Sequence, residues 1–277
     1  VIRSPLARSV VLSPNVEARQ GGRQPDMIVL HYTGMESAAA ACDWLCNPAS
    51  RVSCHYLVEE DGSIIQMVGE DMRAWHAGRS SWRGGADINS RSIGIEIQNP
   101  GHVLGYREFP GAQMSAVVAL CHDILKRHDI RPRDIVAHSD VAPSRKIDPG
   151  EKFDWGMLHR QGIGHWVEPA AITSGPVLQL GDRGGLVVEL QTLLSRYGYE
   201  VPLKGELDLA TQNVIAAFQR HFRPARVDGI ADHSTLDTLE RLLAAVPPNL
   251  VIPVPGLDPG IALSGEMGRR NKSGDDR

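Results

Sequence analysis

Along the first 165 residues, short apolar runs rich in β-branched residues alternate with stretches of helical periodicity. Met27-Ile28-Val29-Leu30, Ile93-Gly94-Ile95-Glu96-Ile97 and Ile135-Val136-Ala137 are too short for helices and read as buried strands. Val52 to Glu59 and Ser63 to Val68 flank Glu60-Asp61-Gly62, the composition of a hairpin turn. Ser37 to Cys46 predicts a helix stopped by Asn47-Pro48. Met114, Val117, Val118, Cys121, Ile124 and Leu125 recur at helical spacing and predict a second helix over about 112–128. Residues 70–91 are polar and Gly-rich, with Trp75 and Trp82, and read as one long loop. Loops of this length inside a compact domain are more often functional than idle.

The pattern changes after residue 160. Gly162 to Pro176 has the Gly, Pro and Ser content of a linker. Beyond it, Val187, Leu190, Leu193 and Leu194 make one apolar helix face. Val214, Ile215 and Phe218 make a second, and Leu236, Leu239 and Leu242 a third. Gly205-Glu-Leu-Asp-Leu-Ala-Thr211 echoes Gly229-Ile-Ala-Asp-His-Ser-Thr235, with Asp and Thr where helix-starting residues belong. The reading is a mixed strand-and-helix domain over residues 1–165, a linker over 166–177 and a small all-α three-helix domain over 178–246. The composition of 247–277 predicts a disordered tail.

Composition narrows the partners. Hydrophobic residues make up 42% and charged residues 22%, the balance of a water-soluble globular chain. Twenty-nine Lys+Arg against 33 Asp+Glu leave a net charge of −4, which argues against nucleic acid as a partner. No stretch approaches the ~20 apolar residues of a membrane helix. No basic segment precedes an apolar core, so no signal peptide is visible. The chain starts at Val1 rather than Met, which leaves an upstream export or lipid-attachment segment open. Cys42, Cys46, Cys54 and Cys121 form no Cys-x-x-Cys knuckle. They read as buried free thiols, with a disulfide among the first three as the alternative.

The chemistry-bearing residues sit where the apolar runs end. His31 follows the first run, Glu96 lies inside the second, His138 follows the third, and Lys146-Ile147-Asp148 comes shortly after. Ends of neighbouring strands converge whatever their separation in sequence. Two imidazoles and a carboxylate are a catalytic zinc donor set, leaving one coordination position open. Glu96 would then move a proton and Lys146 stabilise an oxyanion. The plainer alternatives are a hydrogen bond from Glu96 to a ligand histidine and a surface role for Lys146. Trp75 and His76 in the long loop, with Asn99 and His102 after the Glu96 strand, are candidates for substrate contact, weighed against loop scaffolding. His55 reads as a packed core histidine. No His-Glu-x-x-His helix, Gly-x-Ser-x-Gly elbow or phosphate-binding loop occurs.

Six segments in order resemble the zinc-dependent N-acetylmuramoyl-L-alanine amidases of the type-2 superfamily. They are His31-Tyr32-Thr33, Ser53-Cys54-His55-Tyr56, Trp75-His76-Ala77-Gly78, Ser92-Ile93-Gly94-Ile95-Glu96, Ala137-His138-Ser139-Asp140 and Lys146-Ile147-Asp148-Pro149-Gly150. The resemblance implies an α/β domain with a mixed central β-sheet flanked by helices. It implies Zn2+ held by His31, His138 and Asp148, with Glu96 and Lys146 as catalytic partners. The implied reaction cleaves the amide between the lactyl group of N-acetylmuramic acid and L-alanine of peptidoglycan or muropeptides.

Gly181-Asp-Arg-Gly-Gly185, Leu190-Gln191, Tyr197-Gly198-Tyr199, Phe218-Gln219 and Asp228-Gly229 resemble a peptidoglycan-binding three-helix module. Lys204-Gly205 stands where such modules carry Asp-Gly. A wall-binding module implies the periplasm or cell envelope, with the cytoplasm as alternative. The rival function is a peptidoglycan-recognition protein that binds without cutting.

Overall fold

The computed structural model describes residues 2–247 and 250–252. The tail expected over 247–277 therefore lies almost wholly outside the described residues. Internal contacts divide the chain into two units. Among the described residues, one holds those up to Ser81 together with Gly85–His165; the other holds Trp82–Gly84 and those from Trp166 onward.

The first unit is built on a six-stranded sheet of β1 (Ser9–Val10), β2 (Met27–Tyr32), β3 (Tyr56–Val58), β4 (Ile64–Gln66), β5 (Ser92–Ile97) and β6 (Ile135–Ala137). The order across it is β1-β4-β3-β5-β2-β6. Only the β3–β4 pair is antiparallel. Met27, Ile28, Val29 and Leu30 are all 0% exposed, the signature of a central strand covered on both faces.

The β3–β4 hairpin turns where Glu60-Asp61-Gly62 predicts it. Asp61 Oδ1 accepts the Ser63 amide at 2.8 Å. Gly62 has φ +85°, and a Cβ there would meet Ala112 O at 2.8 Å, so the turn requires glycine. The strands are shorter than the apolar pattern suggests. The Ser53 amide bonds Trp75 O instead of continuing the ladder.

Helices flank the sheet. α1 (Ala38–Cys46) starts at Ser37, whose hydroxyl accepts the Ala40 amide. α2 (Gly111–Leu125) buries Met114, Val117, Leu120, Cys121 and Ile124. Gln113 on α2 donates to Val58 O and Gln98 O, tying the helix to β3 and the end of β5. α3 (His138–Val141) and α4 (Trp155–Arg160) also belong to this unit.

The segment read as one long loop, 70–91, is largely structured. Met72–Ala74 pairs antiparallel with Val16–Ala18, Ser81–Trp82 pairs with Gly85–Ala86, and Ile88–Arg91 forms a helical turn. Two- and three-residue strands carry too little periodicity to be seen in sequence. All four cysteines are free thiols, so the disulfide alternative does not occur; Cys54 and Cys121 are buried, Cys42 and Cys46 half-buried.

The second unit contains α5 (Gly185–Tyr197), α6 (Leu209–Phe222) and α7 (His233–Ala244). The sequence echo is a repeated hydrogen-bond device. Gln191 donates to Glu206 O and Thr211 Oγ1 and accepts the Gly205 amide. Gln219 donates to Ile230 O and Thr235 Oγ1 and accepts the Asp228 and Gly229 amides. Asp208 and Asp232 cap the helices that follow. Asp228 Oδ1 also accepts the Ile230 amide, a bond that Lys204 in the first copy has no acceptor to make. The turn geometry survives that substitution because Gln191 holds it.

Candidate metal centre and cleft

The site begins with sheet register. β2 lies between β5 and β6 in a parallel arrangement, and parallel strands deliver their carboxyl ends to one edge. His31 pairs with Glu96 on β5. On the other side Leu30 pairs with Ala137, so His138 follows at the level of His31. Asp148 is brought in by an irregular turn whose carbonyl accepts the Ser139 amide at 3.0 Å.

Three donor atoms converge. His31 Nδ1, His138 Nδ1 and Asp148 Oδ2 stand 2.9, 3.0 and 3.1 Å apart. All three residues are buried, at 1%, 2% and 6% exposure. Among the described residues this is the one cluster of metal-ligating side chains with such spacing. Ligands about 2.0–2.1 Å from one tetrahedral zinc stand roughly 3.3 Å apart, close to these distances.

The protons of the two imidazoles are engaged elsewhere. His138 Nε2 faces Ala77 O at 3.1 Å, and a carbonyl only accepts, so Nε2 carries the proton. Ser92 Oγ donates to Ile88 O at 2.6 Å and therefore accepts from His76 Nε2 at 3.1 Å. His76 Nδ1 is then a lone pair that takes the Nε2 proton of His31 at 3.0 Å. Both Nδ1 atoms are left as lone pairs aimed at each other and at a carboxylate. Such a set is repulsive by itself and fits a divalent cation.

The electrostatics agree. Burial, then neighbouring His138, push the His31 imidazolium down to about 4, which keeps the ring neutral at pH 7.

Glu96 is half-buried, and its Oε2 is enclosed with no hydrogen-bond partner. Burial first, and Asp148 second, push its carboxyl well above the usual range, while Lys146 pulls the other way. A carboxyl raised in this manner holds a proton more readily than an ordinary carboxylate, which suits a group that must both take and return one. Lys146 is half-buried and lines a cleft of about 390 Å³ with Trp75, His76, Asn89, Arg51 and Arg73.

The four expected substrate contacts separate. Trp75 is half-buried on the cleft, its indole donating to Glu17 Oε1 at 3.0 Å. His102 is partly open, stacked on Tyr106 with ring centroids 4.1 Å apart and bonded to Tyr32 and Glu151. His76 borders the cleft, but both ring nitrogens are spent on His31 and Ser92, so it backs the metal centre. Asn99 is 1% exposed, donates to Arg107 O and accepts the Gly101 amide. Its amide braces a loop and offers the cleft nothing. His55 is a core histidine, accepting the Gly94 amide and facing Met72 O.

The sequence assigns no role to Asn89, Ser92 or Gly94, although the last two lie in a segment that carries the resemblance. A Cβ on Gly94 would come within 2.4 Å of the His76 ring, so the strand leaves that place empty for the imidazole. A glycine inside an apolar strand signals such close approach.

Residues 21–151 match the N-acetylmuramoyl-L-alanine amidase family, and residues 183–239 match a peptidoglycan binding domain. The N-acetylmuramoyl-L-alanine amidase AmiD of Escherichia coli (strain K12) is 39% identical over 233 residues, 78% of this chain and 82% of AmiD. The solved complex of E. coli AmiD with the substrate anhydro-N-acetylmuramic acid-L-Ala-D-gamma-Glu-L-Lys superimposes with TM-score 0.69 at 35% identity, covering 82% of this chain and 92% of that one. AMPDH3 from Pseudomonas aeruginosa, solved with anhydromuramic pentapeptide, superimposes with TM-score 0.65 at 30% identity, covering 81% and 93%.

Proposed function

Because the chain belongs to the N-acetylmuramoyl-L-alanine amidase family, we propose that His31, His138 and Asp148 hold a zinc ion for its reaction. The enzyme cleaves the amide between N-acetylmuramic acid and L-alanine of muropeptides. The observation that supports the metal reading is the convergence of two imidazole lone pairs and a carboxylate oxygen, with both imidazole protons directed away from that point.

Bound zinc supplies Lewis acidity, which activates water and polarises the scissile carbonyl. Glu96 accepts the proton of the attacking water and delivers it to the departing L-alanine nitrogen as the C–N bond breaks. The Lys146 ammonium balances the negative charge that builds on the carbonyl oxygen, an interaction stronger in the transition state than in the ground state. Trp75 and His102 offer ring surface for the sugar or the lactyl group.

Residues 1–165 serve as the catalytic domain, 166–177 as a linker and 178–246 as a wall-binding module. An amidase with its own wall anchor works on the cell envelope, so the periplasm or envelope is the compartment this reading favours. Anhydromuramyl peptides, the class held in both solved relatives, are the first substrates to try.

The test is digestion of an anhydromuramyl peptide by the metal-stripped and zinc-restored protein, followed by mass spectrometry. Release of free stem peptide only after zinc is restored is the expected result. Binding with unchanged substrate in both arms would leave a recognition protein instead.

A further inference from the structure

Two consecutive residues, His76 and Ala77, touch both metal-facing imidazoles from behind. His31 Nε2–H donates to His76 Nδ1 at 3.0 Å, and His138 Nε2–H donates to Ala77 O at 3.1 Å. The position of this dipeptide therefore sets the rotation of both rings. Its own two backbone amides converge on one atom: Asn89 Oδ1 accepts the His76 amide at 3.1 Å and the Ala77 amide at 2.7 Å.

Asn89 is well placed to act as an anchor. It is 6% exposed and lies in the helical turn that leads into β5. The same run supplies Ser92, whose hydroxyl meets the far nitrogen of His76. The run is itself fixed by buried Arg19, which donates to the carbonyls of Asn89, Ser90 and Ser92 at 3.3, 3.1 and 3.0 Å. One side-chain oxygen thus links a braced element to the dipeptide that aims two imidazoles.

We infer that Asn89 is a positioning residue of the metal centre, acting on His31 and His138 at once through the His76-Ala77 backbone. This rests on the reading that His31, His138 and Asp148 are the zinc ligands. Outer partners of metal ligands typically carry about 10–100-fold in metal affinity, because a ring free to rotate must be ordered when the ion binds.

The test compares zinc affinity by competition with a chromophoric chelator, and the visible spectrum of the cobalt(II) form, in four full-length proteins. These are the parent, Asn89→Ala, Asn89→Asp and Asp148→Ala. Asn89→Ala is expected to bind zinc about 10–100-fold more weakly with an unchanged circular dichroism spectrum. Its cobalt bands are expected to shift. Asn89→Asp keeps an oxygen where both amides point and is expected to restore affinity toward the parent value.

If Asn89→Ala does not fold, Asn89→Gln replaces it, since one more methylene displaces the acceptor, and the same weakening is expected. Parent-like zinc affinity in Asn89→Ala or Asn89→Gln, with parent-like cobalt bands, overturns the inference while Asp148→Ala still loses zinc. Tight zinc binding by Asp148→Ala overturns the ligand assignment and the inference with it.

Discussion

His31 and Glu96 are register partners on adjacent parallel strands, so one hydrogen-bond ladder sets the spacing between a candidate metal ligand and the candidate proton carrier. Neither depends on a mobile loop for its place. A one-residue slip of β5 against β2 would turn Glu96 to the opposite face of the sheet. The apolar residues of β5, all 0% exposed at Ile93, Ile95 and Ile97, prevent that slip.

Glu96→Gln separates the proton carrier from the metal. The amide matches the carboxyl in size but cannot take a proton. We expect kcat to fall by about 10²–10⁴-fold with zinc content unchanged, read by parallel turnover and metal analysis. Near-parent turnover would remove Glu96 from the proton path.

Asp148→Ala removes the one anionic donor. The two remaining imidazoles keep their protons pointing outward but no longer complete a three-ligand site. Zinc measured after dialysis is expected to drop from equimolar to well below it, with activity lost in proportion. Retention of equimolar zinc would exclude Asp148 as a ligand.

Gly94→Ala tests the place that the strand leaves for His76. The added methyl would lie 2.4 Å from the imidazole, which has nowhere to retreat without releasing His31 or Ser92. A destabilisation of about 1–3 kcal/mol is expected from such overpacking, with weaker zinc binding. Denaturant unfolding and the chelator competition measure the two effects. A variant as stable and as zinc-avid as the parent would refute the close-packed backing of His31.

A buried cluster away from the site controls acid stability. Burial would raise the Glu70 carboxyl, but hydrogen bonds from His128, Arg127 and Tyr56 outweigh it and bring it down to about 2. A carboxyl whose pKa is depressed on folding adds stability above its ordinary pKa of 4.5, and that contribution is lost as pH falls from there toward 2. Glu70→Gln is therefore expected to cost most at pH 6 and least near pH 2. Urea unfolding of the metal-free forms across that range checks it; a cost that does not vary with pH would contradict the assignment.

Much of this centre is legible in sequence because its donors adjoin apolar runs. Met27-Ile28-Val29-Leu30 and Ile135-Val136-Ala137 mark strands, and a polar residue directly after such a run stands at a strand end. Asp148 follows no such run and reaches the site by an irregular turn, so the donor set and the resemblance point to it while the strand pattern does not. The backing of the site was hidden for a different reason. His76, Asn89 and Ser92 act through hydrogen bonds spanning 13, 16 and 45 residues, and such pairings leave no periodic trace. Asn99 differs: a polar residue just after the Glu96 strand suggests the cleft, whereas its side-chain amide bonds within a local loop.

The most direct test of the account is anomalous diffraction at the zinc edge from crystals of the zinc-restored protein. One peak about 2.0–2.2 Å from His31 Nδ1, His138 Nδ1 and Asp148 Oδ2 is the expected result. A fully occupied zinc bound elsewhere on the chain, with these three side chains unliganded in an active enzyme, would contradict it.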